Sequence, residues 1–277
     1  MAHVSDVRHT SVAPTRTQRL ASGAEVGPHR HDDHQIVYAG RGVLSVTTGS
    51  GTWVAPATRA VWVPAGTVHG HQAHADLELH LVGLPARENP LGLGAPAVIA
   101  VSPLLRELII SYTRTENDDS RERMRLRAVL LDQLRTSVHQ PLHLPTPHSP
   151  LLRTLCDLLR SDPSDSRTLA ELGREVGAGE RTLSRLFRDD LGMTFPQWRT
   201  QLRLHRALVL LADRTPVTRV AHQCGWSSTS AFIDVFRRAF GHTPGRYRQE
   251  MTQGRPRGRP GTRLARPAQR SERSVSL

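Results

Sequence analysis

Histidine and arginine are the side chains of this sequence best equipped for chemistry, and they are kept apart. Twelve of the 15 histidines precede residue 151. His29 and His31 lie two residues apart. On a strand that spacing puts both imidazoles on one face. His69 on a partner strand would complete a three-histidine set of the kind that holds a divalent metal. His34, His71, His74 and His80 add local density. Two readings stand for this cluster: a metal site, or a metal-free pocket that binds a small molecule or simply packs. In the back half, Leu183, Leu186 and Phe187 claim one face of a helix. Arg181, Thr182, Ser184, Arg185 and Arg188 are left on the other. Arginines on an exposed helix face can read phosphate and guanine; an ordinary solvated face is the alternative.

The charge follows the same division. All 37 basic residues are arginine, against 25 acidic residues, for a net charge of +12. Residues 1–150 hold 14 arginines and 13 acidic residues, residues 151–253 hold 16 and 11, and residues 254–277 hold 7 and 1. A nearly neutral front half is thus joined to a basic back half, which points to nucleic acid as the partner of the latter. No apolar run approaches the ~20 residues of a membrane span, so no membrane partner is expected. The opening MAHVSDVRHT lacks the apolar stretch of a signal peptide. Two cysteines, Cys156 and Cys224, cannot build a disulfide framework. A reduced, cytoplasmic setting is therefore expected.

Residues 1–22 are polar and without period, and read as a flexible arm. Over 25–83 the pattern becomes strand-like. Ile36-Val-Tyr38, Gly42-Val-Leu-Ser-Val46, Ala60-Val-Trp-Val63 and Leu77-Glu-Leu-His-Leu-Val82 are separated by Gly and Pro every eight to twelve residues. That rhythm predicts an antiparallel sandwich or barrel over 23–100. A helical period follows over 101–139, with Leu104, Leu105, Leu108, Ile109 and Tyr112 on one helix. Leu126, Leu130, Leu134 and Val138 lie on a second. The leucine row has two readings, packing on the barrel or a homodimer seam. Pro141, Pro145, Pro147 and Pro150 predict an extended linker over 140–150. After it, residues 151–253 read as helices.

The back half repeats itself. Leu172-Gly173-x-x-Val176-Gly177 matches Val220-Ala221-x-x-Cys224-Gly225 at an offset of 48 residues. Leu183-x3-Phe187-Arg188-x3-Gly192-x-Thr194 matches Phe232-x3-Phe236-Arg237-x3-Gly241-x-Thr243 at 49. Each copy is a short helix with a small residue at a close crossing, a glycine turn and a second helix. That is a helix-turn-helix unit. Two copies on a connecting helix over about 196–212 predict an all-α domain built to bind double-stranded DNA.

The stretch 169–248 resembles the DNA-binding domain of AraC/XylS-type transcription regulators. The second copy carries the fullest match, from Val220 through Gly225-Trp226 and Phe236-Arg237 to Thr243-Pro244-x-x-Tyr247-Arg248. Arg203-x3-Ala207-x2-Leu210-Leu211 fits the family's linker helix. The resemblance implies that Arg181, Ser184 and Arg185 occupy base-edge positions and that Arg188 meets phosphate. In the second copy Ser228 is a natural N-cap, and Thr229, Ser230, Ile233 and Asp234 face outward. Asp234 departs from the basic residue the family often has there. Docking of the second unit is therefore expected to rest on Thr229, Ser230, Arg237 and Arg238, with more of the specificity in the first.

Gly23-x5-His29-x-His31-x3-Gln35-x6-Gly42 resembles the first motif of the cupin superfamily, with Gln35 in place of the usual Glu. Pro64-x-Gly66-x2-His69 resembles the core of the second, with Thr58 and Ala73 where glycine and asparagine are expected. The resemblance implies a cupin-like sensor barrel with His29, His31, Gln35 and His69 as its metal set. Its cofactor would be a divalent metal. Neutral Gln35 is a poor fourth ligand. The reading for the whole is a promoter-binding regulator that senses a small molecule or metal and has no enzymatic role. The alternative is a dioxygenase-like cupin enzyme fused to a DNA-binding module. In the basic tail over 254–277, expected to be disordered, Arg257-Gly-Arg259-Pro260 resembles an AT-hook core.

Overall fold

The computed structural model describes residues 7–115, 119–140 and 143–253. The Arg257-Gly-Arg259-Pro260 element lies outside these.

The front half is two facing six-stranded sheets. The strands are β1 (Arg8–Thr10), β2 (Arg16–Leu20), β3 (Glu25–His31), β4 (His34–Ala39), β5 (Val43–Thr48), β6 (Gly51–Pro56), β7 (Arg59–Val63), β8 (His69–Ala73), β9 (Leu77–Leu84), β10 (Ala97–Ala100), β11 (His139–Gln140) and β12 (His143–Pro145). One sheet runs β1-β3-β8-β5-β6-β12 and the other β11-β10-β7-β4-β9-β2. The expected cupin-like barrel is thus present. Its interior is filled by one parity of the central strands, among them Val37, Ala39, Leu44, Val46, Trp53, Ala55 and Leu79.

The opposite parity is also apolar, because both outer faces are covered. Ile36, Tyr38, Trp62 and Val82 pack under α1 (Pro103–Arg114) and α2 (Arg121–Arg135). This explains why β4 is buried at all six positions instead of alternating. The α2 leucines, left open between packing and a dimer seam, are used inside the chain: Leu130 and Leu134 are fully buried against the barrel and Leu126 partly.

Two expected boundaries move. The arm over 1–22 is not loose across its described part. β1 pairs in parallel with β3 and β2 pairs with β9, and Ala13 between them is buried. Part of the stretch expected as a linker is likewise built into the barrel: Gln140 ends β11, which pairs with β10, and β12 over 143–145 pairs with β6. Polar or proline-bearing edge strands are held through backbone groups, and Pro145 sits where an edge strand tolerates it.

The back half is α3 (Pro150–Ser161), α4 (Leu169–Val176), α5 (Glu180–Leu191), α6 (Phe195–Ala212), α7 (Val217–Gln223), α8 (Thr229–Phe240) and α9 (Pro244–Gln253). Helices α4–α5 and α7–α8 are the two helix-turn-helix units. Leu172, Leu183, Phe187 and Trp198 centre the first core; Val220, Phe232, Phe236 and Tyr247 centre the second. Capping boxes start α4 at Thr168 and α6 at Thr194. Each fixes two otherwise orphaned backbone groups. Gly177 closes α4 at φ +71°, the left-handed cap that glycine adopts without a Cβ clash.

Helix α6 also meets the barrel. Val43 of β5 and Val54 of β6, whose neighbours Leu44 and Ala55 point inward, join the cluster of Leu204, Ala207, Leu208 and Leu211. The helix that joins the two units therefore rests on the sheet that carries β3 and β8.

Candidate functional site

Two sets of side chains carry chemistry. The first lies inside the barrel. β3 and β8 are antiparallel neighbours with His29 opposite His69. The i, i+2 alternation turns His29 and His31 the same way. All three imidazoles are buried, and one ring nitrogen from each lies within 4.8 Å of the others. Gln35 enters from β4 in the opposite sheet, with its Oε1 3.2 Å from His69 Nε2.

The ring orientations are fixed from outside. His29 Nδ1 donates to Gly27 O and His69 Nδ1 to Thr67 O, both at 2.8 Å. His31 Nδ1 is 2.6 Å from Thr10 Oγ1, and His31 Nε2 has no partner. Anchoring Nδ1 while Nε2 faces a common point is how ligating histidines are held in metal sites. With its proton on Nδ1, His69 presents a lone pair to the Gln35 carbonyl oxygen, another lone-pair atom. Either the amide turns over or a cation sits among them; Gln35 Nε2 is itself unpartnered. Burial lowers the pKa of His29 and His31 and brings His69 down to about 4. The rings are therefore neutral at pH 7, the form that binds metal. These residues fit a divalent ion, which they would hold through three imidazoles with the Gln35 oxygen beside them.

The four residues singled out from sequence thus come together. Sequence reasoning gave His71 only as local density. It lies two residues after His69, lines the same cavity, is 4% exposed and has neither ring nitrogen paired. The i+2 spacing was the available signal. The other nearby histidines point elsewhere. His34 donates through Nε2 to Ala86 O, His74 is paired with Ser45, and His80 is paired with Thr17 and Thr113.

The second set lies on α5 and α8. On α5 the buried Leu183 and Phe187 leave Arg181, Thr182, Arg185 and Arg188 exposed and Ser184 half-buried. With Asp189 they line an open depression of about 430 Å³. Among the described residues, Arg181, Arg185 and Arg188 have no carboxylate partner. Structural arginines nearby differ: Arg167 pairs with Asp165 and Glu175, and Arg203 donates to the Pro163 and Asp165 carbonyls. On α8, Ser228 caps the first turn by accepting from Ala231 N. Ser230, Asp234, Arg237 and Arg238 are exposed and Thr229 half-buried. Asp234 stands 3.5 Å from Arg237, and both are more than half exposed. The departure from the family's basic residue is thus offset within one turn, by a pair worth little energetically.

A helix-turn-helix domain family matches residues 172–250, and a family described as AraC-like ligand binding domain matches residues 18–176. The chain is 34% identical over 229 residues to the HTH-type transcriptional regulator NimR of Escherichia coli K12, covering 81% of this chain and 82% of that protein. It is 36% identical over 104 residues to the regulator RipA of Corynebacterium glutamicum, covering 36% of this chain and 31% of that one. Among solved structures, an AraC-type transcriptional regulator from Chromobacterium violaceum is 28% identical over 38% of this chain and 95% of its own, with a TM-score of 0.36.

Proposed function

The chain belongs to the family of AraC-like helix-turn-helix transcription regulators, and we propose that occupancy of its barrel is felt at the promoter through α6. It is a DNA-binding regulator with a ligand-binding domain. One observation carries the proposal for coupling. β8, which bears His69 and His71, pairs along its length with β5, and the outward side of β5 supports α6. A change at the histidines therefore reaches the helix that spaces α5 and α8 across a single strand.

On DNA we assign base reading to Arg181, Ser184 and Arg185, aided by Thr182, and phosphate contact to Arg188. The second unit docks through Thr229, Ser230, Arg237 and Arg238, with Asp234 at its edge. The unpaired state of the α5 arginines supports this, because guanidinium groups without a carboxylate are available for bidentate bonds to guanine. Selection of binding sites from randomised DNA tests it. Arg185→Ala should relax base preference more than Asp234→Ala, with about 1–3 kcal/mol of discrimination lost at one position. The reverse order would overturn the assignment.

In the barrel we assign a divalent metal to His29, His31 and His69, with Gln35 beside it, in a sensing role without turnover. The relatives' role as regulators supports the last point. Metal analysis of the purified protein should show an ion that His29→Ala with His69→Ala removes; unchanged content would exclude the site. Because it would act at a promoter, we assign the protein to the cytoplasm. A homodimer would use the outer side of α2, where Met124 and Val129 are exposed, and sedimentation at several concentrations would detect it.

A further inference from the structure

The cavity that holds the histidines continues outward from them, and its outer half has a different chemistry. It is a half-open cavity of about 260 Å³, below the usual range for drug-sized ligands. Its lining includes the apolar Val26, Leu79 and Leu81 and the arginines Arg8 and Arg16. Both arginines are exposed at the rim on β1 and β2. Arg16 donates only to Gln18, at 3.3 Å, and Arg8 has no carboxylate partner among the described residues. No acidic residue is among the described residues that line the cavity.

Two buried residues of this wall carry polar nitrogens with no hydrogen-bond partner. His71 has both ring nitrogens unpaired at 4% exposure, and Gln35 Nε2 is unpaired at 1%. Leaving such groups dry and unpaired is costly. His71 does not belong to the set whose ring nitrogens converge, which is His29, His31 and His69 alone. A positive rim, an interior free of negative charge and unused polar atoms among apolar walls specify a complementary guest. It carries negative charge, has oxygens for His71 and Gln35, and has an apolar body that fits a small volume.

We propose that the barrel's effector is a small organic carboxylate, held by Arg8 and Arg16 at the mouth and by His71 and Gln35 within. This deepens the reading of the barrel as an effector pocket. It rests on that reading but not on the metal. A metal on three neutral imidazoles would keep its full charge and strengthen the attraction; without it the arginines still select an anion, and His71 offers it a hydrogen bond.

Isothermal titration calorimetry on the full chain, chelator-stripped and zinc-loaded, tests the proposal. The probes are oxalate, salicylate, inorganic phosphate and the neutral 2-hydroxybenzyl alcohol. At least one carboxylate should bind in both states, more tightly than phosphate and far more tightly than the alcohol. Arg8→Gln with Arg16→Gln, two exposed changes, should weaken it about tenfold or more while zinc binding stays unchanged. His71→Gln should weaken it as well. Carboxylate binding unaffected by the arginine change, or phosphate or the alcohol binding as tightly, would overturn the proposal. Zinc binding with no carboxylate bound in either state would overturn it while sparing the metal assignment. Carboxylate binding without any zinc binding would do the converse.

Discussion

Replacing Gly173 with alanine puts the packing of the first DNA-binding unit to a direct test. Gly173 lies on α4 where the chain, after a short turn, folds back to start α5. A Cβ there would stand 2.3 Å from the Ala178 carbonyl oxygen and 3.2 Å from Leu183 Cδ1. The first overlap is about 1 Å and is with backbone, so no rotamer change relieves it. Overpacking of this kind costs roughly 1–3 kcal/mol, and a backbone clash belongs at the upper end. Against it stands the helix preference of alanine over glycine, about 1 kcal/mol. The net expectation is a loss of about 1–2 kcal/mol. In a domain of about 100 residues each kcal/mol moves the midpoint by about 4–8 °C. Thermal melts of the full chain by far-UV circular dichroism should therefore show the helical transition lowered by about 4 °C or more. DNA affinity well below the midpoint should also fall, because the clash displaces α5. The second unit supplies the control. Its turn is one residue longer and already accommodates Ala221 at the matching place. Ala221→Gly removes a buried methyl together with the helix preference, about 2 kcal/mol in all, but introduces no clash, so DNA binding should be kept. An unchanged or raised midpoint for Gly173→Ala would refute the reasoning, since the turn would then yield freely.

Acid should weaken the fold before its carboxylates are protonated. Burial brings His80 and His205 down to about 4. Between that value and the ordinary 6.5 the unfolded chain binds more protons, so stability is lost as pH falls through this window. At pH 5 each residue contributes a loss of about 2 kcal/mol. Denaturant midpoints at pH 7 and pH 5 measure it, and equal midpoints would contradict it; His205→Gln should lessen the difference. The start of α5 offers a gain. Gly179 is its N-cap, in extended backbone with no side-chain cap bond. Gly179→Ser should add a few tenths of a kcal/mol, seen as a higher midpoint, and a lower one would show that the turn cannot host the hydroxyl.

The tandem DNA-binding units were legible in the sequence because each is specified within about 50 residues. Small-residue crossings, glycine caps and the Leu183, Phe187, Phe232 and Phe236 faces are local features that survive without knowledge of the rest. The same holds for His29 and His31, whose shared face follows from strand alternation alone. What local pattern does not contain is pairing between distant segments. β1 and β2 have no hydrophobic signature, and they join the barrel through backbone groups that every residue carries. The arm therefore read as loose, although it supplies Thr10, Arg8 and Arg16 to the pocket. His71 was visible as a histidine but not as a wall of that pocket. The docking of α6 on Val43 and Val54 could not be seen either. Apolar residues on both parities of a strand say that both faces are covered without saying by what. The sequence by itself determined the kind of protein this is, because helix-turn-helix chemistry is written locally. Only the tertiary structure decided which distant residues share the pocket and how it leans on the DNA-binding domain, because those contacts join segments whose pairing no local pattern encodes.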